Sequence, residues 1–217
     1  MQKGRPTGSS FKAFTLLASI AAGYNPYKVT IDCSSPYKIG DTTVKNFGGS
    51  SYGTRTIQGA FAISSNTGMV RLQEKVGTDK VIEMAKKLGI KNAELPNITT
   101  LTLGSADITP LEMASAYSTI CNGGMYMSPV VITRIEAADG EVIYDYEKDK
   151  DMDKGTRVIS EEEAGAAIKV MQTVFTQGTA TSAQLSNGQP VAGKTGTSEE
   201  YRDHTLIGFT PDCVLAT

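Results

Sequence analysis

Two helix starts are written into the second half of this chain, and they limit what the rest can become. Thr109-Pro110-Leu111-Glu112 sets a capping hydroxyl before a proline suited to the first helical position, with a glutamate three residues on. Ser160 and Glu163 repeat the device as a second capping box. The first helix is expected to run to Asn122 and stop at Gly123-Gly124. The second should end at Gly178, with an apolar stripe of Ala164, Ala167, Ile168, Met171 and Phe175 at helical spacing. Strand patterns follow each of them. Val130 to Glu136 and Glu141 to Tyr146 flank Asp139-Gly140, a hairpin signal. Val191 to Thr197 and Thr205 to Thr210 read as two further strands, joined by a polar turn holding Glu199, Glu200 and Asp203. The chain must pack helices against short antiparallel strands.

The first half carries the remaining helices. A helix is expected from about Ser9 to Ala22, ended by Gly23 and Pro26, and then a Tyr-, Ser-, Gly- and Thr-rich stretch of loop or short strands over 23–55. Ile57, Ala60, Phe61 and Ile63 read as a helix leading into Ser64-Ser65-Asn66, followed by helices over 67–76 and 78–88, the latter closed by Gly89. Glu147 to Lys154 carries seven charges in eight residues and reads as a solvated loop. Lys3, Arg5 and Lys12 ahead of an apolar run imitate a signal peptide, but the uncharged stretch 13–27 is too short and polar to span a bilayer.

Composition excludes some classes. With 217 residues, 40% hydrophobic, 20% charged and a net charge of −2, this is an ordinary globular chain without the basic excess of a nucleic-acid binder. One His and three widely spaced Cys (Cys33, Cys121, Cys213) build no zinc site, and an odd count leaves at least one thiol outside any intramolecular disulfide. The cysteines read as small, partly buried residues.

Three patterns could carry chemistry. Gly188 to Thr195 fits the phosphate-binding G-x-x-x-x-G-K-[ST] loop, yet polar small residues precede it where a buried strand is needed, and only 22 residues follow Thr195. Gly49-Ser50-Ser51-Tyr52-Gly53 fits a G-x-S-x-G nucleophile elbow, with His204 later in the chain, but alternating strand and helix units are missing around it. A Gly/Ser-rich loop is its blander explanation. The third pattern has separated pieces: Ser9-Ser10-Phe11-Lys12 opening a helix, Ser64-Ser65-Asn66 at a helix junction, and Lys194-Thr195-Gly196-Thr197 on a late strand. Each is weak alone; their order and settings carry the weight.

With those residues in view, the chain resembles the transpeptidase domain of penicillin-binding proteins. Gly8–Lys12, Leu103-Gly104, Ile108–Ala114, Asn122–Gly124, Gly178–Ala180 and Ala192–Thr197 resemble family segments in family order. Leu103-Gly104 and the Ala138–Gly140 turn look most like class A members, which join this domain to a glycosyltransferase. The resemblance implies an α/β fold of the α+β kind, β-lactamase/transpeptidase-like, with a helical subdomain and a central antiparallel sheet. Eight residues precede Ser9, and Val214-Leu215-Ala216 begins to look like the family's next strand. Residues 1–217 are therefore expected to be a single partial domain with an incomplete sheet. Such a sheet implies an unstable isolated chain.

The resemblance also assigns roles. Ser9 would be the acylated nucleophile and Lys12 its base, a role for which a lysine with a normal pKa of about 10.4 must be depressed by burial or by Lys194. Ser64 would relay a proton to the departing amine and Asn66 would hold the substrate peptide group. Lys194 would supply positive field, and Thr195 and Thr197 would bind a terminal carboxylate. Backbone N–H groups of Ser9 and Thr197 would form the oxyanion hole, with Gly196 permitting close approach. The function implied is cross-linking of peptidoglycan stem peptides, with β-lactams as inhibitors and no metal or organic cofactor. Its place would be the outer face of a bacterial membrane, through an anchor in the full-length protein. The rivals are a β-lactamase or D,D-carboxypeptidase of the same fold, a non-catalytic wall-peptide binder, and a nucleotide-binding loop. A β-lactamase would need a deacylating Glu, for which Glu94-Leu95-Pro96-Asn97 is a poor match.

Overall fold

The computed structural model describes residues 3–149, 152–197 and 204–217. The turn with Glu199, Glu200 and Asp203, and the centre of the 147–154 charge run, lie outside the described residues. The helices are α1 (Lys12–Ala21), α2 (Ile57–Ala62), α3 (Asn66–Val76), α4 (Thr78–Leu88), α5 (Pro110–Cys121) and α6 (Glu161–Thr176). Ten short strands form two-stranded pairs: β1 (Arg5–Pro6) with β6 (Asp107–Ile108), β2 (Thr30–Asp32) with β5 (Thr54–Thr56), β3 (Tyr37–Ile39) with β4 (Thr42–Val44), β7 (Met125–Tyr126) with β10 (Thr156–Arg157), and β8 (Arg134–Glu136) with β9 (Val142–Asp145). The last three, β11 (Ala192–Thr197), β12 (His204–Thr210) and β13 (Cys213–Ala216), make an antiparallel sheet in that order.

Both capping boxes form. Thr109 Oγ1 accepts from the Glu112 N–H at 3.2 Å, and Ser160 Oγ accepts from the Glu163 N–H at 3.1 Å. Glu112 does more than cap: its Oε1 accepts from the N–H groups of Lys91 and Asn92 at 3.1 and 2.7 Å, tying the loop after α4 to the start of α5. Burial opposes ionisation of that carboxyl, but the donors around it outweigh burial and hold it below its usual range.

The segment that imitates a signal peptide is the centre of the core. Every residue of α1 from Lys12 to Ser19 is buried, and the helix packs against α3, α4 and α6. Phe11 and Phe14 meet edge-on at 4.8 Å between ring centroids, and Leu16 and Leu17 are sealed from solvent. At about 1.5–3 kcal/mol for each such aliphatic side chain, this packing gives α1 a structural role that a cleavable leader does not have. Among the described residues no helix is long and apolar enough to cross a membrane.

Several boundaries differ from expectation for local reasons. The chain enters α1 through a 3-10 turn, Gly8–Phe11, so Ser9 precedes the α-helix instead of opening it. Helix α6 stops at Thr176, with Gln177 as its cap. Gly178 serves instead for close packing, since a Cβ there would run into the Ala62 carbonyl. Val131 is 94% exposed, and β8 starts only at Arg134, although the Thr133 carbonyl just before it accepts from the Tyr146 N–H at 2.8 Å. Ile168 is only partly buried, unlike the rest of the α6 stripe. The cysteines are all free thiols with different settings: Cys33 is buried, Cys121 half-buried, and Cys213 exposed at the β12–β13 turn.

The β11–β12 register runs from Ala192 opposite Phe209 to Thr197 opposite His204. Ile207 and Phe209 bury one face of β12, with α5 packed against β12 and β13 and α6 against β11. One end of β11 is thereby held against the 3-10 turn that carries Ser9.

Candidate active site

Ser9, Ser64, Asn66, Thr195, Gly196 and Thr197 line one cleft of about 1300 Å³. Lys12 and Lys194 lie behind its wall, both fully buried. Lys12 follows Ser9 by three residues, and its Nζ lies 2.8 Å from Ser9 Oγ. The same amine reaches the Ser64 carbonyl at 2.8 Å, Ser64 Oγ at 3.1 Å and Asn66 Oδ1 at 2.7 Å. Ser64 sits between α2 and α3 with φ +58°, in the left-handed region. A non-glycine residue is held there only when its surroundings compensate, and here the turn presents both its carbonyl and its hydroxyl to Lys12. Asn66, the first residue of α3, also donates from Nδ2 to the Lys45 carbonyl at 2.9 Å.

Lys194 approaches from mid-β11. Its Nζ donates to Ser64 Oγ at 2.9 Å and to the Thr195 carbonyl at 3.0 Å, and lies 5.7 Å from the Phe61 ring centroid. The Ser64 hydroxyl thus bridges two buried amines. Burial, and secondarily the Lys194 charge, hold Lys12 well below the usual lysine range. Burial brings Lys194 down to about 7. Among the described residues no carboxylate lines the cleft to offset these charges, so each amine gives up its proton more readily than an exposed lysine does.

A stability consequence follows. An unfolded Lys194 keeps its proton to about pH 10.4, whereas the folded one gives it up near 7. Between these values the unfolded state binds more protons, so folding stability rises with pH. Lys194→Met should therefore raise the melting temperature at pH 7, by replacing a buried charge with an apolar side chain of similar length. The advantage should shrink between pH 7 and pH 9. Melting curves of parent and variant at both pH values check this; an advantage that grows with pH would contradict it.

Glycines close the site. Gly104 (φ +79°) is pressed so tightly on the Gly8 backbone that a Cβ would overlap it, and a Cβ on Gly8 would lie 2.6 Å from the Thr197 carbonyl oxygen. At Gly196 a Cβ would collide with the Thr205 hydroxyl and lie 2.5 Å from the Thr7 carbonyl oxygen. Together these bring the Thr197 backbone beside the Ser9 turn. Gly104→Ala combines a left-handed penalty of about 1–2 kcal/mol with that overlap. It should cost at least about 2 kcal/mol and lower the melting temperature. A parental melting temperature in this variant would mean that the three-glycine contact is not tightly packed.

The competing patterns find no support in this arrangement. Lys194 and Thr195 lie inside strand β11 rather than between a strand and a helix, and among the described residues no helix follows, which overturns the nucleotide-loop reading. Ser51 is exposed in an irregular segment before β5, its hydroxyl accepting from the Ser35 N–H at 3.2 Å, so it is no strained elbow. His204 heads β12, and Glu94 does not line the cleft.

The family model described as the penicillin binding protein transpeptidase domain matches residues 1–212. The chain belongs to that family. Penicillin-binding protein 1A of Aquifex aeolicus is 33% identical over 212 residues, covering 95% of this chain and 28% of that protein. Penicillin-binding protein 1A of Neisseria cinerea is 32% identical over 220 residues, covering 99% of this chain and 28% of that protein. The chain therefore spans little more than a quarter of the length of these curated relatives. Among solved structures, PonA1 of Mycobacterium tuberculosis in complex with penicillin V superposes with a TM-score of 0.86 at 27% identity, covering 99% of this chain and 60% of that one. The fold is that of penicillin-binding protein transpeptidase domains, mixed α and β as the motifs implied.

Sequence reasoning missed two residues here. Asn46 is buried, and its Oδ1 accepts from Ser65 Oγ, the Thr67 N–H and Thr67 Oγ1 at 3.1–3.2 Å. Its Nδ2 donates to the Cys33 and Ser50 carbonyls, both at 2.9 Å. It fixes the first turn of α3, and with it Asn66. In sequence it is an ordinary loop asparagine. The other is Thr179, whose hydroxyl lies 2.6 Å from Thr195 Oγ1.

Proposed function

We propose that this chain is the serine D,D-transpeptidase unit of a cell-wall enzyme, acylated at Ser9 by stem peptides ending in D-Ala-D-Ala and by β-lactams. One observation carries the reading: a buried amine with a depressed pKa, Lys12, stands 2.8 Å from the Ser9 hydroxyl at the edge of an open cleft. A serine alone is a poor nucleophile, and an adjacent neutral amine is the base that activates it. Ser9 Oγ attacks the carbonyl carbon of the D-Ala-D-Ala bond as its proton passes to Lys12 Nζ. The developing oxyanion is held by the backbone N–H groups of Ser9 and Thr197. Ser64, in contact with both amines, hands a proton to the departing D-alanine nitrogen, and Lys12 replaces it. The acyl group then passes to an acceptor amine by the reverse path.

Asn66 orients the substrate peptide group, Lys194 adds positive field, and Thr195 and Thr197 take the terminal carboxylate. In a β-lactam the leaving nitrogen stays tethered, so the acyl-enzyme persists. The longer relatives support a membrane-anchored protein on the outer face of the bacterial membrane, with a glycosyltransferase domain in the same full-length chain. The test is incubation with a D-Ala-D-Ala stem peptide, with and without an acceptor amine. Release of D-alanine with amine-capped product supports a transpeptidase. Hydrolysed product alone, with the amine in excess, would make it a carboxypeptidase.

A further inference from the structure

The Thr179 hydroxyl has no part in the chemistry above, yet it lines the same cleft. It comes from the turn that follows α6, not from β11, and its position is set by backbone. The Thr179 N–H donates to the Ala62 carbonyl at 3.2 Å, and Gly178 packs against that carbonyl with no room for a Cβ. Its Oγ1 lies 2.6 Å from Thr195 Oγ1, and Thr195 Oγ1 lies in turn 3.5 Å from Lys194 Nζ. Either hydroxyl of the pair can be the donor, and both residues line the cleft, so each can turn its proton toward an entering acceptor.

We infer that Thr179 is a specificity-determining residue, forming with Thr195 a two-hydroxyl clamp for the terminal carboxylate of the donor. This rests on the reading that the cleft takes a carboxylate-ended substrate, and extends it to a residue on a different element. A carboxylate is acceptor-only, with two oxygens held side by side. When it enters, the bond between the hydroxyls is exchanged for two charge-assisted bonds, one from each threonine, and these are the stronger kind. A substrate with that carboxylate masked as an ester gains little from the pair.

The test compares acylation rate constants for a penicillin and for its methyl ester, in the parent chain and in Thr179→Val, Thr179→Ser and Thr195→Val. Thr179→Val keeps the shape and removes the hydroxyl. It should lower the rate with the free acid by about 10- to 100-fold, the worth of one hydrogen bond to a charged group, while the ester rate stays at the parental value. Thr179→Ser should restore the preference for the acid. Equal losses with acid and ester would mean that Thr179 only shapes the cleft, and no loss with either would remove it from recognition. Both results overturn the inference. If Thr195→Val loses the preference and Thr179→Val keeps it, the clamp fails while carboxylate recognition stands. A parent chain with no preference for the acid would sink the carboxylate reading itself.

Discussion

Replacing Ser9 with alanine is expected to abolish covalent penicillin labelling and to change folding stability by no more than about 1 kcal/mol. The change removes one oxygen that is half-exposed at the cleft edge. Lys12 loses one acceptor and keeps the Ser64 carbonyl, Ser64 Oγ and Asn66 Oδ1, so the buried amine stays solvated by the protein. Ser64 is the hydroxyl most able to take over, because it touches both lysines. It sits at the α2–α3 joint, however, whereas Ser9 lies beside the Thr197 backbone where an oxyanion would be held. Labelling of Ser9→Ala at the parental rate would place the nucleophile elsewhere.

Lys12→Arg should lower the acylation rate by at least about 10²-fold, the lower range for loss of a general base. An arginine keeps the positive charge but stays protonated throughout the accessible range. Lys12→Met, which removes both the base and the charge, should fall as far. Agreement between the two separates loss of the base from loss of charge, and melting curves show whether either variant folds. In the parent the rate should rise with pH through the depressed Lys12 pKa and then level off, because only the neutral amine accepts the serine proton. Lys194→Met removes a neighbouring positive charge that holds Lys12 down, so its profile should shift to higher pH. A pH-independent parent rate, or Lys12→Arg acylating at the parental rate, would reduce Lys12 to a structural role.

What could be read in the sequence was what local chemistry decides. The capping boxes at Thr109 and Ser160 fixed two helix starts because their partners lie three residues away. Ser9 and Lys12 meet because a single turn separates them. Lys194 could be placed on a strand, against the pull of the Gly188–Thr195 nucleotide-loop pattern, because no buried strand pattern precedes it and only 22 residues follow Thr195. The left-handed Ser64, the Gly104–Gly8–Thr197 contact and the Asn46 hub could not be read, since each depends on segments brought together from tens of residues apart. Thr179 and Thr195 are likewise joined only by the packing of α6 on β11. The strands expected from Val130 and Val191 start at Arg134 and Ala192 for a related reason: β-branched residues suit a strand, but pairing needs a partner that the local pattern does not name. Cys213 is exposed rather than partly buried because it stands at the β12–β13 turn.

The most direct test of the account is to label the chain with a penicillin, digest it and locate the adduct by tandem mass spectrometry. Ser9 is predicted to carry it, and Ser10, one residue on and buried with its hydroxyl donating to the Thr7 carbonyl at 2.7 Å, is predicted to stay unmodified. An adduct on Ser64 or Ser51 would contradict the assignment of the nucleophile, and with it the roles given to Lys12 and to the Thr197 backbone.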